Sequence, residues 1–202
     1  MNIEYLDEYA SLLERILSTG YEVRYAPSFL ERAIARHPFF QSIESEHMSI
    51  APIVGEEALA QAIFLDAKID LASVPTYKQC AWASESYLRI QHESKLTFEA
   101  IFLFLPLEKM YALFDVYHEM DFSRIVEEFQ RRFLLDSALG LLLDRYGCSL
   151  MDVSKATKIA YDVLYSVKKR RRSVQSMNVA ATYAIARFFR VRIETIAELK
   201  II

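Results

Sequence analysis

Residues 149–172 read SLMDVSKATKIAYDVLYSVKKRRR, and this stretch joins two short helical patterns to a run of five cationic residues. Ser149 is suited to cap the first helix. The helical spacing breaks at Lys158-Ile159, and a second helix is predicted over 161–168. In that second helix the inward residues are Leu164 and Val167, and the outward residues are Tyr161, Asp162, Tyr165 and Ser166.

Charge is distributed unevenly along the chain, which has a formal net charge of −3. Residues 149–202 contain 11 Lys and Arg against 4 Asp and Glu, whereas residues 1–148 contain 13 against 23. The basic end therefore carries +7 and the remainder −10. This asymmetry is typical of a nucleic-acid-binding segment attached to an acidic body.

The two short helices and their tight turn follow the pattern of a helix-turn-helix, whose second helix enters the major groove of DNA. From Leu135 to the end, the chain resembles the lambda-repressor-like (Xre/Cro-type) class. In this resemblance, NVAATYAIARFFRVRIETI at 178–196 stands where the class has the helices that complete its bundle. Lys158 stands where the class often has glycine in the turn, so we expect a left-handed backbone there, at a cost of about 1 kcal/mol.

The resemblance implies a role for each part of this segment. It places Lys168–Arg172 in the loop after the recognition helix, where cations contact phosphates and supply affinity without sequence reading. Sequence reading would come from the outward face of the second helix. The residues predicted to contact double-stranded DNA are Ser149, Tyr161, Asp162, Tyr165, Ser166, Lys168, Lys169, Arg170, Arg171 and Arg172.

The expected fold is mainly α, with an acidic helical body over residues 1–134 and the helix-turn-helix bundle over 135–202. In the body, helices are predicted over 2–19, ended by Gly20, from Pro27 to near Pro38, and from Gly55 onwards. One long helix is expected from Asp121 to Gly147, and it would join the body directly to the basic end.

An apolar run, LTFEAIFLFLP at 96–106, fits a strand or a buried helix by period alone, and a helix is favoured. Aromatic residues cluster in and before this run, and we assign them to the core of the body rather than to a ligand pocket. The set consists of Trp82, Tyr87, Phe98, Phe102 and Phe104.

No sequence pattern points to an enzyme, a cofactor or a metal. The chain lacks G-x-x-x-x-G-K-[ST], G-x-G-x-x-G and G-x-S-x-G, and His118-Glu119 lacks the second His of a zinc-protease helix. The two cysteines, Cys80 and Cys148, have no metal-ligand spacing. An acidic first segment and the shortness of the apolar runs predict a cytoplasmic protein outside the membrane.

Residues 80–129 resemble small antitoxin-like bacterial proteins in the order of Trp82, Tyr87-x-Arg89, Tyr117-His118 and Asp121. The resemblance implies a cognate toxin as partner and an autorepressor of a toxin–antitoxin operon. Surface acids such as Glu127 and Glu128 are expected to contact that partner, because an acidic body attracts cationic proteins. The alternative is a non-enzymatic inhibitor or adaptor from a phage or mobile element, whose helix-turn-helix contacts protein or RNA.

A homodimer is expected, because a single helix-turn-helix unit buries little surface on DNA and operators commonly have two half-sites. The last helix and the tail are rich in apolar residues. The predicted dimer contacts are Ile196, Leu199, Ile201 and Ile202.

Overall fold

The computed structural model describes residues 6–22, 25–44 and 74–198. Regular structure within these ranges is helical throughout, which confirms a mainly α fold. The helix predicted from Gly55 lies outside the described residues. Up to residue 135 the helices are α1 (Leu6–Glu22), α2 (Pro27–Arg36), α3 (Pro38–Glu44), α4 (Tyr77–Ser94), α5 (Phe98–Phe104), α6 (Leu107–Tyr117) and α7 (Ser123–Leu135). Beyond it lie α8 (Ala138–Tyr146), α9 (Leu150–Thr157), α10 (Tyr161–Lys168), α11 (Val179–Phe189) and α12 (Ile193–Ala197), with a 3-10 turn at Val174–Ser176.

The short helix α5 lies at the centre of the fold. Its N-cap Thr97 accepts a hydrogen bond from the Ala100 backbone N–H at 3.1 Å, which starts the helix inside the apolar run. All its residues except Glu99 are buried, against α2, α3, α4 and α7 on the body and α8 and α12 beyond it. A helix that is apolar all round is stable only when surrounded in this way. The favoured helical interpretation of this run is therefore confirmed.

The aromatic set assigned to the core is buried, with Trp82 the most exposed member at 7%. The Tyr87 hydroxyl donates to the Leu105 carbonyl at 2.8 Å, so this phenol has a partner inside the apolar environment. Its ring lies edge-on to Phe102 with the centroids 4.8 Å apart. These side chains pack in the core, as predicted, and Phe102 also borders a cleft at the edge of that core.

The long helix predicted from Asp121 to Gly147 is wrong, because the chain breaks between α7 and α8. Asp136 has an extended backbone, and the Ser137 hydroxyl accepts from the Gly140 N–H at 3.1 Å as an N-cap. Ser137 thereby satisfies an amide that a continuous helix would have bonded to a carbonyl. The predicted end at Gly147 is confirmed, since this residue caps α8 with a left-handed backbone at φ 60°.

The predicted stop at Gly20 is also wrong, because α1 continues to Glu22 and Gly20 is buried within it. Helix α1 packs along α4, and Tyr21 remains only 1% exposed. Tertiary packing of the last turn therefore outweighs the poor helix propensity of glycine, which is about 1 kcal/mol.

The body and the basic end share one continuous hydrophobic core that extends from α1 to α12. Polar contacts reinforce the boundary: Arg192 Nη1 lies 2.5 Å from Glu44 Oε2, and Glu44 Oε1 accepts from the Phe98 N–H at 2.7 Å. Burial raises the pKa of Glu44, against the opposing effects of these two donors. The basic end is thus held to the body by buried, directional contacts as well as by apolar packing.

Candidate nucleic-acid interface

Helices α9 and α10 are joined by a turn of three residues, 158–160. At the start of α9, Ser149 and Asp152 form a reciprocal capping box: the Ser149 hydroxyl accepts from the Asp152 N–H at 3.2 Å and donates to the Asp152 carboxylate at 2.6 Å. The predicted cap at Ser149 is therefore confirmed. Because this hydroxyl is used inside the protein, Ser149 has little capacity left for the DNA contact expected of it.

The turn itself is built on Lys158, which has the left-handed backbone that the sequence analysis predicts, with φ 61°. Its N–H donates to the Ser154 carbonyl at 2.9 Å and ends α9. The Ser154 hydroxyl donates to the Ile159 carbonyl at 2.7 Å and holds the next residue of the turn. Helix α10 then begins at Tyr161 and ends at Lys168, both as predicted.

Helix α10 is anchored by Leu164 and Val167, which are buried at 0% and 1% exposure. It contacts α8 and α9, and the Ser137 hydroxyl donates to the Lys168 carbonyl at its end, at 2.9 Å. Helix α10 is thus fixed on one face by apolar packing and at its C-terminus by a hydrogen bond. The opposite face is available for contact.

Two stacked tyrosines dominate the outer face of α10. The rings of Tyr161 and Tyr165 lie 6.3 Å apart and nearly parallel, and Tyr161 is 42% exposed. Asp162 is exposed beside them, whereas Ser166 is half-buried and its hydroxyl donates to the Asp162 carbonyl at 2.8 Å. The face therefore offers two phenols and one carboxylate as groups that can contact a ligand, and Ser166 contributes less than the sequence indicated.

The basic loop, residues Lys168–Arg172, follows directly from α10. Lys169 is exposed, and the Arg171 guanidinium lies 5.8 Å from the centre of the Tyr165 ring, which places a cation beside the tyrosine pair. Arg172 donates from Nε to the Ser176 hydroxyl at 3.1 Å. Apart from Arg170, these cations have no carboxylate within ion-pair distance among the described residues.

Arg170 differs from its neighbours because its guanidinium is bonded back to the protein, although the residue is exposed. It has a left-handed backbone at φ 51°, and it donates from Nε to the Asp136 carbonyl at 2.6 Å and from Nη2 to the Phe133 carbonyl. Its Nη1 lies 3.0 Å from Glu198, whose other carboxylate oxygen accepts from the Ala138 N–H at 3.0 Å. Arg170 therefore links the end of α7, the start of α8 and the end of α12.

An open groove of about 440 Å³ lies between the turn, the basic loop and the start of α11. Lys158 and Arg172 line it together with Asn178, whose side chain accepts from the Ala181 N–H at 2.7 Å and caps α11. Two cations and a helix N-terminus give this groove the character of an anion-binding surface. The sequence analysis used Lys158 only as a turn residue and did not assign Asn178 to the interface, although an asparagine that starts a helix beside a basic loop indicates a helix N-terminus able to bind an anion.

The acids predicted to bind a partner, Glu127 and Glu128, lie on α7 and are already paired. Glu127 accepts from Arg124 at 2.9 Å, while Glu128 is only 11% exposed and contacts both Arg131 and Arg132. The hydrogen bond from Arg131 is the main cause that lowers the pKa of Glu128. The carboxylates on this face of α7 are therefore paired with arginines rather than free.

The predicted dimer contact Ile196 is fully buried in the core, at 0% exposure, and cannot contact a second chain in this conformation. Leu199, Ile201 and Ile202 lie outside the described residues. Helix α11 instead exposes Val179 and Tyr183, at 75% and 58%. Its buried stripe consists of Thr182, Ile185, Ala186 and Phe189.

Comparisons with known proteins add no assignment to this geometry. The chain matches no protein-family model, and searches against curated proteins and solved structures find no significant similarity. Across 6–22, 25–44 and 74–198, no group of three or more His, Cys, Asp or Glu side chains is placed to hold a metal ion. None of the helices in those ranges is both long enough and apolar enough to cross a bilayer.

Proposed function

We propose that α9 and α10 form a helix-turn-helix that binds double-stranded DNA, and that the protein is a sequence-specific transcriptional regulator. The observation that carries the proposal is the position of the basic loop. Lys169 is exposed at the end of α10, Arg171 lies beside Tyr165, and neither has a carboxylate partner among the described residues. Unpaired cations beside a protruding helix provide the phosphate attraction that DNA binding requires.

The proposed division of roles follows from which donors are free. Lys168, Lys169, Arg171 and Arg172 contact phosphates, and the groove beside Lys158 receives the next phosphate along the strand. Tyr161 and Tyr165 contact base edges, where their rings can pack on thymine methyl groups. Asp162 accepts from a cytosine amino group, the base contact that suits a carboxylate. Arg170 fixes the loop to the ends of α7 and α12 instead of contacting DNA.

The proposal extends to a homodimer on two half-sites, since one unit of this size buries too little surface for tight binding. Val179 and Tyr183, on the exposed face of α11, are the apolar groups available to such a contact within the described residues. Autorepression of a toxin–antitoxin operon is the narrower form of the same proposal. Because Glu127 and Glu128 are neutralised by arginines, a toxin would have to bind elsewhere on the body.

The test is an in vitro selection of DNA from a random pool with the full chain, followed by affinity measurements on the selected and scrambled sites at fixed salt. We expect one sequence to be enriched, and Tyr161→Ala with Tyr165→Ala to reduce its preference over the scrambled site by about tenfold. Tyr77→Ala, an exposed tyrosine at the start of α4, is the matched control and should leave that preference unchanged.

Failure to bind any DNA at 50 mM salt, with the protein folded by circular dichroism, would refute the proposal. The adaptor function, in which the same face contacts protein or RNA, would then be the better explanation. Loss of affinity in equal measure on all sequences would instead show that the tyrosines do not read bases.

A further inference from the structure

A second cleft, distinct from the DNA-facing surface, lies where the body meets the basic end. It has a volume of about 230 Å³ and is formed by α2, α5, α8 and the segment from the end of α11 into α12. Its apolar wall is made by the outermost atoms of Phe102, Leu103 and Leu142, which are otherwise buried. Four guanidinium groups from three separate parts of the chain surround this wall: Arg32, Arg36, Arg145 and Arg190.

The two carboxylates in the cleft are already engaged. Glu99 accepts from the Arg192 N–H at 2.7 Å and from the Thr195 hydroxyl at 2.8 Å. Glu31 is only 3% exposed, accepts from the Leu107 N–H at 2.8 Å and lies 3.3 Å from Arg145. With two acids against four arginines, the cleft keeps an excess of positive charge next to an apolar wall.

Among the described residues, most of the donor capacity of the four arginines is unused. Within these ranges Arg32 donates one hydrogen bond, to the Ser28 carbonyl, and Arg36 donates one, to the Arg190 carbonyl. Arg145 donates to the Phe102 carbonyl at 2.9 Å and faces Glu31. The Arg190 side chain has no hydrogen-bond or ion-pair partner among residues 6–22, 25–44 and 74–198. Each guanidinium carries five N–H donors in a planar fork, so several are available to an acidic ligand.

We propose that this cleft binds a small organic anion, with its acidic group held by the guanidiniums of Arg32 and Arg190 and its apolar part packed on Phe102 and Leu142. The volume is below the roughly 300–1,000 Å³ of sites for drug-sized ligands, which restricts the occupant to about one ring and excludes nucleotides. The occupant would contact α2 and α5 of the body and also α8 and α12. This proposal goes beyond DNA binding and does not depend on it.

Glu31 should make anion binding at this site depend on pH. Burial raises its pKa to about 7, while Arg145 and the Leu107 N–H oppose that rise; Glu108 raises the pKa further and Arg32 lowers it. An anion beside Glu31 is repelled less when that carboxyl is protonated. Binding of an anion whose own charge is constant should therefore weaken as the pH rises from 6 to 8.

The experiment titrates the full chain with three probes and follows amide chemical shifts by NMR, without DNA. Benzoate combines a carboxylate with one ring, benzamide is its neutral isostere, and sulfate is an anion with no apolar part. We expect benzoate to shift the signals of Ala35, Leu142 and Thr195, and to bind at least about tenfold more tightly than either benzamide or sulfate.

Matched variants separate this site from general charge attraction. Arg190→Gln keeps a long side chain at the left-handed position, φ 56°, and Arg32→Gln removes the second guanidinium. Each variant should weaken the binding of benzoate by about tenfold. Arg187→Gln, an exposed arginine on α11 outside the cleft, is the control and should change nothing.

Three results would overturn the proposal. These are benzamide binding as tightly as benzoate, shifts spread over the surface instead of the cleft, and equal weakening by Arg187→Gln and Arg190→Gln. Because no DNA is present, none of these results bears on the helix-turn-helix proposal.

Discussion

The outer face of α7 and the basic loop after α10 are both rich in arginine, but they differ in what their charges face. On α7, Arg124 pairs with Glu127, and Glu128 is shared between Arg131 and Arg132. In the basic loop, four of the five cations have no carboxylate partner among the described residues, and only Arg170 has one. Intrahelical pairs at i,i+3 and i,i+4 add a few tenths of a kcal/mol and cancel the local field. Charge composition alone therefore does not show which charges are available to a partner, whereas the pairing of each charge does.

The largest effect is expected when two charges are reversed in each region and the loss of DNA affinity is compared. Lys169→Glu with Arg171→Glu should weaken DNA binding by about a thousandfold at physiological salt and reduce the salt slope by about two, because two phosphate contacts are lost. Arg124→Glu with Arg131→Glu makes the same change in net charge on α7 and should cost less than about tenfold. Binding isotherms at several salt concentrations measure both effects. Equal losses would show that net charge, and not the loop, controls affinity.

Glu31 differs from the charges in both regions because its carboxyl is buried, and burial makes it costly to ionise. Its folded pKa is raised to about 7, above that of the unfolded chain. Between about pH 4.5 and 7 the folded protein holds this proton while the unfolded chain releases it, so the free energy of unfolding falls as pH rises, and the loss is complete above 7. Between these two pH values the free energy of unfolding falls by up to about 3 kcal/mol.

Glu31→Gln should remove this dependence. Urea unfolding at pH 5 and pH 8 should show the variant gaining stability relative to the natural chain as the pH increases. Glu44, whose pKa burial also raises, is present in both proteins, and its contribution cancels in the difference. A stability difference that is the same at both pH values would contradict the prediction.

Within the basic loop, Arg170 is the exception because it has a carboxylate partner, as the arginines of α7 do. Arg170→Ala should lower the free energy of unfolding by about 2 kcal/mol, since it removes two hydrogen bonds to carbonyls and an ion pair with Glu198. Lys169→Ala, one residue away and exposed, should change it by less than about 0.5 kcal/mol. Chemical denaturation measures both. If the two variants were equally stable, Arg170 would not support the loop.

The smallest expected effect concerns the turn before α10. Lys158→Gly should raise the free energy of unfolding by about 1 kcal/mol, because glycine adopts the left-handed backbone at φ 61° without the strain of a side chain. Lys155→Gly, inside α9, should lower it by a similar amount, about 1 kcal/mol. Thermal unfolding of the two variants gives the sign of each change. Two changes of the same sign would mean that the turn backbone is unstrained.

Local signals account for the parts of the fold and of the candidate interface that were predicted correctly. Ser149, Lys158 and the inward pair Leu164 and Val167 follow rules that involve residues up to four positions apart, and the bounds of α10 were predicted from them. The break at Ser137 was missed because the apolar repeat continues on both sides of it and predicts an unbroken helix. The signal was a serine before ALG, which the dominant apolar pattern obscured.

By itself, the sequence determined a helical protein with an acidic body, a basic end and two short helices joined by a tight turn, because periodicity, caps and charge are local properties. The tertiary structure decided which charges are available. Arg170 finds partners 34 and 37 residues away, Arg192 pairs with Glu44 across 148 residues, and the arginines of the cleft come together from α2, α8 and the end of α11. Neighbouring residues in one cationic run can therefore have opposite roles, since the direction of a side chain depends on backbone angles and on distant partners that spacing does not encode.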